Sequence, residues 1–204
     1  TDGTASMSNS VDIVDNVVDD FTGQTVTDYG IIKKNLSQTV NFDNLKSFKK
    51  GLMSFDDVVQ DYAKIYADKV NSNERWTWRE IIGKKRLTWK QKKSINSKAK
   101  NLGYIPTVNL KPGTRFVDFE SADVIYKINN ENVIKQLPKE MWKVSDYKQF
   151  KYLDSLLPDG KRPDGYTWHH SEIAGRMELV PYGLHRIYHH AGGRAKGYWA
   201  HAKR

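Results

Sequence analysis

Five of the six histidines in this 204-residue chain lie between positions 169 and 190, as His169-His170, His185 and His189-His190. Imidazole binds divalent metals as a neutral ligand and exchanges a proton near neutral pH. The spacing suggests how such a set would be used. Tyr166 to Ser171 is short, aromatic and suited to a strand. Met177 to Val180 suits a second strand, with Gly175 near the connection. Pro181 then leads into a helix expected to stop at Gly192. On that helix His185 and His189 are i and i+4, so they share a face and can chelate one ion. A hairpin packed on the helix would bring His169 to the same ion. His169 and His170 are neighbours on a strand and point to opposite sides, so they should do different jobs. Three imidazoles leave an open coordination position, as catalytic zinc sites do, and the remaining histidine is a candidate general base. A structural zinc site with four histidines is the bland alternative.

The elements that must hold these residues are also visible. Val11, Val14, Val17, Val18 and Phe21 recur at helical spacing, and Thr22 to Asp28 reads as a loop. A helix is expected from Phe55 to Val70, capped by Ser54 with Asp57 in its first turn. Asn71-Ser72-Asn73 marks a boundary. Thr88-Trp89-Lys90-Gln91 has the pattern of a capping box, and the helix it opens should reach Asn101 and stop at Gly103. Residues 106–136 read as β-rich, with Asn129-Asn130 as a turn. A further helix is expected from Asp146 to Leu157, ended by Pro158-Asp159-Gly160. Trp168 reads as a packing residue.

Composition narrows the classes. The chain has no cysteine, which excludes a disulfide scaffold, a thiolate metal site and a cysteine nucleophile. Any metal must be held by His, Asp or Glu. No stretch approaches the roughly 18 consecutive apolar residues that span a bilayer, so no membrane span is expected. The formal charge is +9, unevenly placed. Residues 1–72 hold 11 Asp and 7 Lys, whereas residues 73–204 hold 26 basic and 13 acidic residues. The division expected is an acidic, helical segment over 1–72 and a basic domain over 73–204 facing a polyanion. Residues 84–100 carry eight basic residues and no acidic one. Lys84, Lys85, Arg86, Lys90, Lys92 and Lys93 are therefore the candidate nucleic-acid contacts, against the alternative of an ordinary solvated helix.

The C-terminal stretch resembles the HNH/endonuclease VII superfamily, the ββα-metal nucleases. More narrowly it resembles the WHH-type toxin nucleases. Trp168-His169-His170, the strand Met177-Glu178-Leu179-Val180-Pro181 and the run from His185 to Gly193 carry that likeness. The order His-His followed by His-x-x-x-His is also similar to colicin-type DNases. The motif covers residues 165–193, and a weaker likeness reaches back to about residue 74. The resemblance implies an α+β fold: a C-terminal ββα-metal nuclease domain preceded by a small, mainly helical N-terminal segment. It implies His169, His185 and His189 as metal ligands and His170 as the base that activates the attacking water. The metal would neutralise phosphate charge and stabilise the leaving 3′-oxygen. Three histidines suit Zn²⁺, with Ni²⁺ and Mg²⁺ as alternatives. The superfamily's middle Asn has no match here. Arg176 stands near its place, either as a contact to the scissile phosphate or as a surface arginine. Glu172 is a candidate support for a ligand histidine, and His190 either touches substrate or caps the helix end.

The biology implied is an endonuclease toxin that prefers DNA, with RNA left open. It would be the C-terminal part of a larger secreted or surface-displayed effector, as in contact-dependent growth inhibition. A start at Thr1, with no signal peptide in view, fits a piece of such a polypeptide. Residues 1–72 would serve delivery or entry, and the nuclease would act in the target-cell cytoplasm. A cognate immunity protein would neutralise it, an acidic face complementing the basic domain. Other readings are an RNase toxin of the same fold, a phage or housekeeping HNH endonuclease, and a non-enzymatic zinc-stabilised DNA-binding module.

Overall fold

Side-chain caps stand at Ser54 and Thr88, where the sequence places them. The computed structural model describes residues 36–83, 86–188 and 190–202, together with the backbone of two short strands, β1 (Val17–Asp19) and β2 (Gln24–Val26). Helix α1 (Phe42–Lys49) starts at Asn41, whose side chain accepts from the Asn44 amide. Helix α2 (Phe55–Asn71) opens with a capping box of Ser54 and Asp57. The short α3 (Trp78–Ile82) follows, and α4 (Trp89–Asn101) opens with a capping box of Thr88 and Gln91. Each box satisfies amide donors that a helix start leaves open. Gly103 sits at φ +67°, where α4 is expected to stop.

The β elements are short. Strands β3 (Lys127–Ile128) and β4 (Glu131–Asn132) form a hairpin around Asn129 and Asn130, both at positive φ. The rest of the β-rich expectation over 106–126 reduces to isolated bridges, Leu110 with Val117 and Phe116 with Ala191. Strand β5 (Ile134–Gln136), helix α5 (Asp146–Ser155), strands β6 (Tyr166–His170) and β7 (Arg176–Pro181), and helix α6 (Tyr182–Ile187) complete the described elements. The fold is α+β, with small antiparallel sheets. Strands β5, β7 and β6 form one antiparallel sheet in that order. Among the described residues, no helix is long and apolar enough to cross a membrane.

Two expectations change. The spacing over Val11–Phe21 predicts a helix, and Thr22–Asp28 a loop. Their described parts are instead strands, Val17 pairing with Val26 and Asp19 with Gln24; the remainder lies outside the described residues. Val17 and Val18 are β-branched and favour extended backbone. The helix after Pro181 ends at Ile187, well short of Gly192.

The core crosses the boundary expected at residue 72. One buried cluster takes in Leu45 of α1, Tyr62, Tyr66 and Val70 of α2, Ile95 of α4, Phe119, Val180 of β7 and Leu184 of α6. Residues 40–71 therefore pack into the same core as the basic part. A second cluster, on the other side of the sheet, joins Leu153 of α5 to Trp168, Met177 and Leu179.

Helix α2 also seats α6 directly. The Asn73 Oδ1 accepts from the Gly183 amide at 3.1 Å, closing a donor at the start of α6. A Cβ on Gly183 would stand 1.9 Å from the Val70 carbonyl oxygen, so only glycine allows this approach. We predict that Gly183→Ala destabilises the fold by about 1–3 kcal/mol, the range for forced overpacking. A urea-unfolding midpoint equal to that of the unsubstituted chain would refute the contact.

Candidate active site

Strand pairing sets the two adjacent histidines apart. In the register of β6 with β7, His169 stands opposite Glu178 and His170 opposite Met177. Successive side chains leave opposite faces of a pleated strand. His169 therefore faces α6, together with Val180 on β7. His170 faces α5, together with Trp168 and Met177. The β6–β7 connection turns at Gly175, φ +78°, where a Cβ would also fall 2.0 Å from Gln136 Nε2.

On the first face three imidazoles converge. One ring nitrogen from each of His169, His185 and His190 lies within 4.8 Å of the others. Ring centroids are 4.7 Å apart for His169 and His190, 5.0 Å for His185 and His190, and 5.4 Å for His169 and His185. The fully buried Phe119 ring walls the group, 5.0 Å from His169. Burial and the neighbouring imidazoles hold His169 well below the usual range and His185 down at about 3. His169 and His185 are thus neutral near pH 7, with lone pairs available. The His190 Nδ1 lies 2.7 Å from the Tyr188 carbonyl, so it carries the hydrogen and turns Nε2 towards the cluster. Three imidazoles beside the Phe119 ring fit a divalent cation of borderline softness.

The third imidazole that the described residues bring to the group is His190. The helical i, i+4 argument pairs His185 with His189, but α6 ends at Ile187 and Tyr188 is extended. The Tyr188 hydroxyl accepts from the Val108 amide and donates to the Pro106 carbonyl, which pins the chain beyond the helix. The Ala191 amide donates to the Arg115 carbonyl and holds the far side. His190 is thereby drawn into the cluster rather than standing as a helix cap or outer support. His189 lies outside the described residues.

The other candidates fall as follows. His170 is nearly buried, its Nε2 2.7 Å from Gln149 Oε1 and its ring 5.8 Å from Trp199. Arg176 is held in two ion pairs of 2.8 Å, one with Glu178 and one with Glu120. Its guanidinium compensates a buried carboxylate beside His169 rather than standing open to a phosphate. Burial still pushes the Glu178 carboxyl up, with Arg176 opposing it. Glu172 pairs with Lys111 and accepts from Ser171; no bond to a ligand histidine is seen among the described residues. Trp168 is a core residue whose indole donates to Asp154. Gln149, Phe119, Lys111 and Glu178 are neighbours of the site that spacing alone does not single out.

Helix α4 presents the basic face. Trp89 is 71% exposed, and Lys93 Nζ lies 5.1 Å from its ring centroid. Lys92 lies over the Trp78 ring, and Lys90 and Arg86 are exposed. Among the described residues none of the α4 lysines makes an ion pair. At the far end Lys100 Nζ lies 4.3 Å from the Tyr188 ring centroid. Lys84 and Lys85 lie outside the described residues.

Residues 158–200 match the family model WHH, a nuclease of the HNH/ENDO VII superfamily with conserved WHH. No significant match to a curated protein or to a solved structure was found.

The buried imidazoles set a pH dependence. Because folding lowers their proton affinity, the unfolded chain binds more protons below its ordinary value of 6.5. Stability is full above that pH and falls as pH drops from there towards 3. We expect the melting temperature of chelator-treated protein to fall between about pH 7 and pH 5, and His185→Gln to flatten the fall. A melting temperature independent of pH over that range would contradict the assignment.

Proposed function

Because residues 158–200 carry a WHH nuclease domain of the HNH/ENDO VII superfamily, we propose that this protein is a metal-dependent endonuclease that hydrolyses phosphodiester bonds, with DNA as its preferred substrate. The observation that carries this reading is the convergence of His169, His185 and His190, one ring nitrogen of each within 4.8 Å of the others. A divalent cation held by those three residues, zinc by preference for nitrogen donors, would supply Lewis-acid neutralisation of phosphate charge. His170 accepts the proton that water loses as its oxygen bonds to phosphorus and the bond to the 3′-oxygen breaks. Arg176 keeps Glu178 compensated, so the carboxylate does not act as an unpaired negative charge beside the incoming phosphate. Arg86, Lys90, Lys92 and Lys93, with Lys84 and Lys85 preceding them in the sequence, would contact the nucleic-acid backbone.

The wider reading is a toxin module within a secreted or surface-displayed effector, acting in a target-cell cytoplasm and neutralised by an acidic immunity protein. The charge asymmetry of the chain, with its basic excess after residue 72, supports it. Residues 1–72 would combine a delivery role with the packing of α1 and α2 into the core.

Metal-stripped protein given plasmid DNA and total RNA with Zn²⁺, Ni²⁺, Mg²⁺ or chelator tests the reaction and its substrate together. DNA cutting that needs metal and disappears in folded, metal-loaded His170→Ala is the expected result. RNA cutting alone would move the substrate, and no cutting with metal bound would leave a zinc-stabilised binding module. His190→Ala should weaken zinc binding at least ~10-fold, as removal of a group that supports a metal site does; unchanged affinity would exclude it as a ligand. Lys90→Glu with Lys93→Glu should lower the salt slope of DNA binding by about two, one for each phosphate no longer neutralised by a lysine. An unaltered slope would remove α4 from the interface.

A further inference from the structure

The side-chain amide of Gln149 is fully buried, and all of its hydrogen-bonding positions are filled. Its Nε2 donates to the carbonyls of Met141, at 2.8 Å, and Trp142, at 2.9 Å. Its Oε1 accepts from Arg194 Nη2 at 2.8 Å and meets His170 Nε2 at 2.7 Å. The amide cannot be turned over, because the flipped group would aim an oxygen at two carbonyls and an NH₂ at a guanidinium. An amide oxygen only accepts, so the hydrogen between the two side chains sits on His170 Nε2. In a neutral imidazole the lone pair then belongs to Nδ1.

We infer that Gln149 is a positioning residue that holds His170 as its Nε2–H tautomer, so that Nδ1 is the atom that takes the proton from water. The role of that atom in hydrolysis rests on the nuclease reading; the place of the hydrogen does not. The surroundings support the tautomer. Asp146 Oδ1 stands 3.9 Å from His170 Nε2, so the nearest carboxylate also favours a hydrogen on that nitrogen. Arg194 is itself fixed, donating to Asp146, to the Ala200 carbonyl and to the Val144 carbonyl. Gln149 and Asp146 belong to the first turns of α5, outside the segment matched to the nuclease family. The reacting histidine is thus oriented by a helix that the motif does not include.

The test is ¹⁵N NMR of the full chain labelled at histidine, with the His170 ring signals identified by their disappearance in His170→Ala. The unsubstituted chain should show the Nε2–H tautomer. Gln149→Leu should show both tautomers and cut DNA about tenfold more slowly, with metal and DNA affinity unchanged, as removal of an orienting partner predicts. An Nδ1–H tautomer in the unsubstituted chain would overturn the inference, and that spectrum decides even where Gln149→Leu fails to fold. A folded Gln149→Leu that cuts at the original rate would overturn it too. An Nε2–H signal in a chain that cuts neither DNA nor RNA would instead defeat the nuclease reading and leave the hydrogen where the geometry puts it.

Discussion

The antiparallel pairing of β6 with β7 is the constraint on which the site depends. A pleated strand sends neighbouring side chains to opposite faces, and His169 and His170 are neighbours. With His169 opposite Glu178, one imidazole enters the cluster under α6 and the other enters the pocket under α5. A slip of one residue would exchange them. It would also send Trp168, Met177 and Leu179 out of the core they share with Leu153. The burial of those apolar side chains, each worth about 1.5–3 kcal/mol, therefore fixes which histidine can join a metal cluster.

The site is built from two environments. On the His169 face Phe119 packs against the imidazoles, and burial keeps His169 and His185 from taking up a proton. On the His170 face, beside the apolar cluster of Trp168 and Met177, Arg194 links the carboxylate of Asp146 to the amide of Gln149. Buried polar networks of this kind are costly when half made and rigid when complete. The two faces suit different tasks, a neutral donor set on one side and a single oriented imidazole on the other.

Local signals are legible in the sequence, and long-range ones are not. The Ser54 and Thr88 boxes and the glycine beyond α4 are written within a few residues, and the structure has them where they are read. Strands β6 and β7 are equally local. Spacing alone puts His190 outside the cluster, because a helical period runs on unless something stops it. What stops it is Tyr188 bonded to residues 106 and 108, about eighty positions away. Arg176 reads as open in the sequence because its partner Glu120 lies 56 positions upstream. Gln149 carries no motif at all; only the folded contacts give it meaning.

The seat of α6 on the end of α2 has a consequence for how this chain can be divided. The Val70 carbonyl and Asn73 lie on either side of the boundary read from charge, and both touch Gly183, two residues before His185. A proteolytic cut at residue 72 that released the basic half alone would strip α6 of half its footing and open the core at Tyr62 and Tyr66. A piece that keeps this core whole therefore begins upstream of Asn41, inside the part that charge alone would set apart.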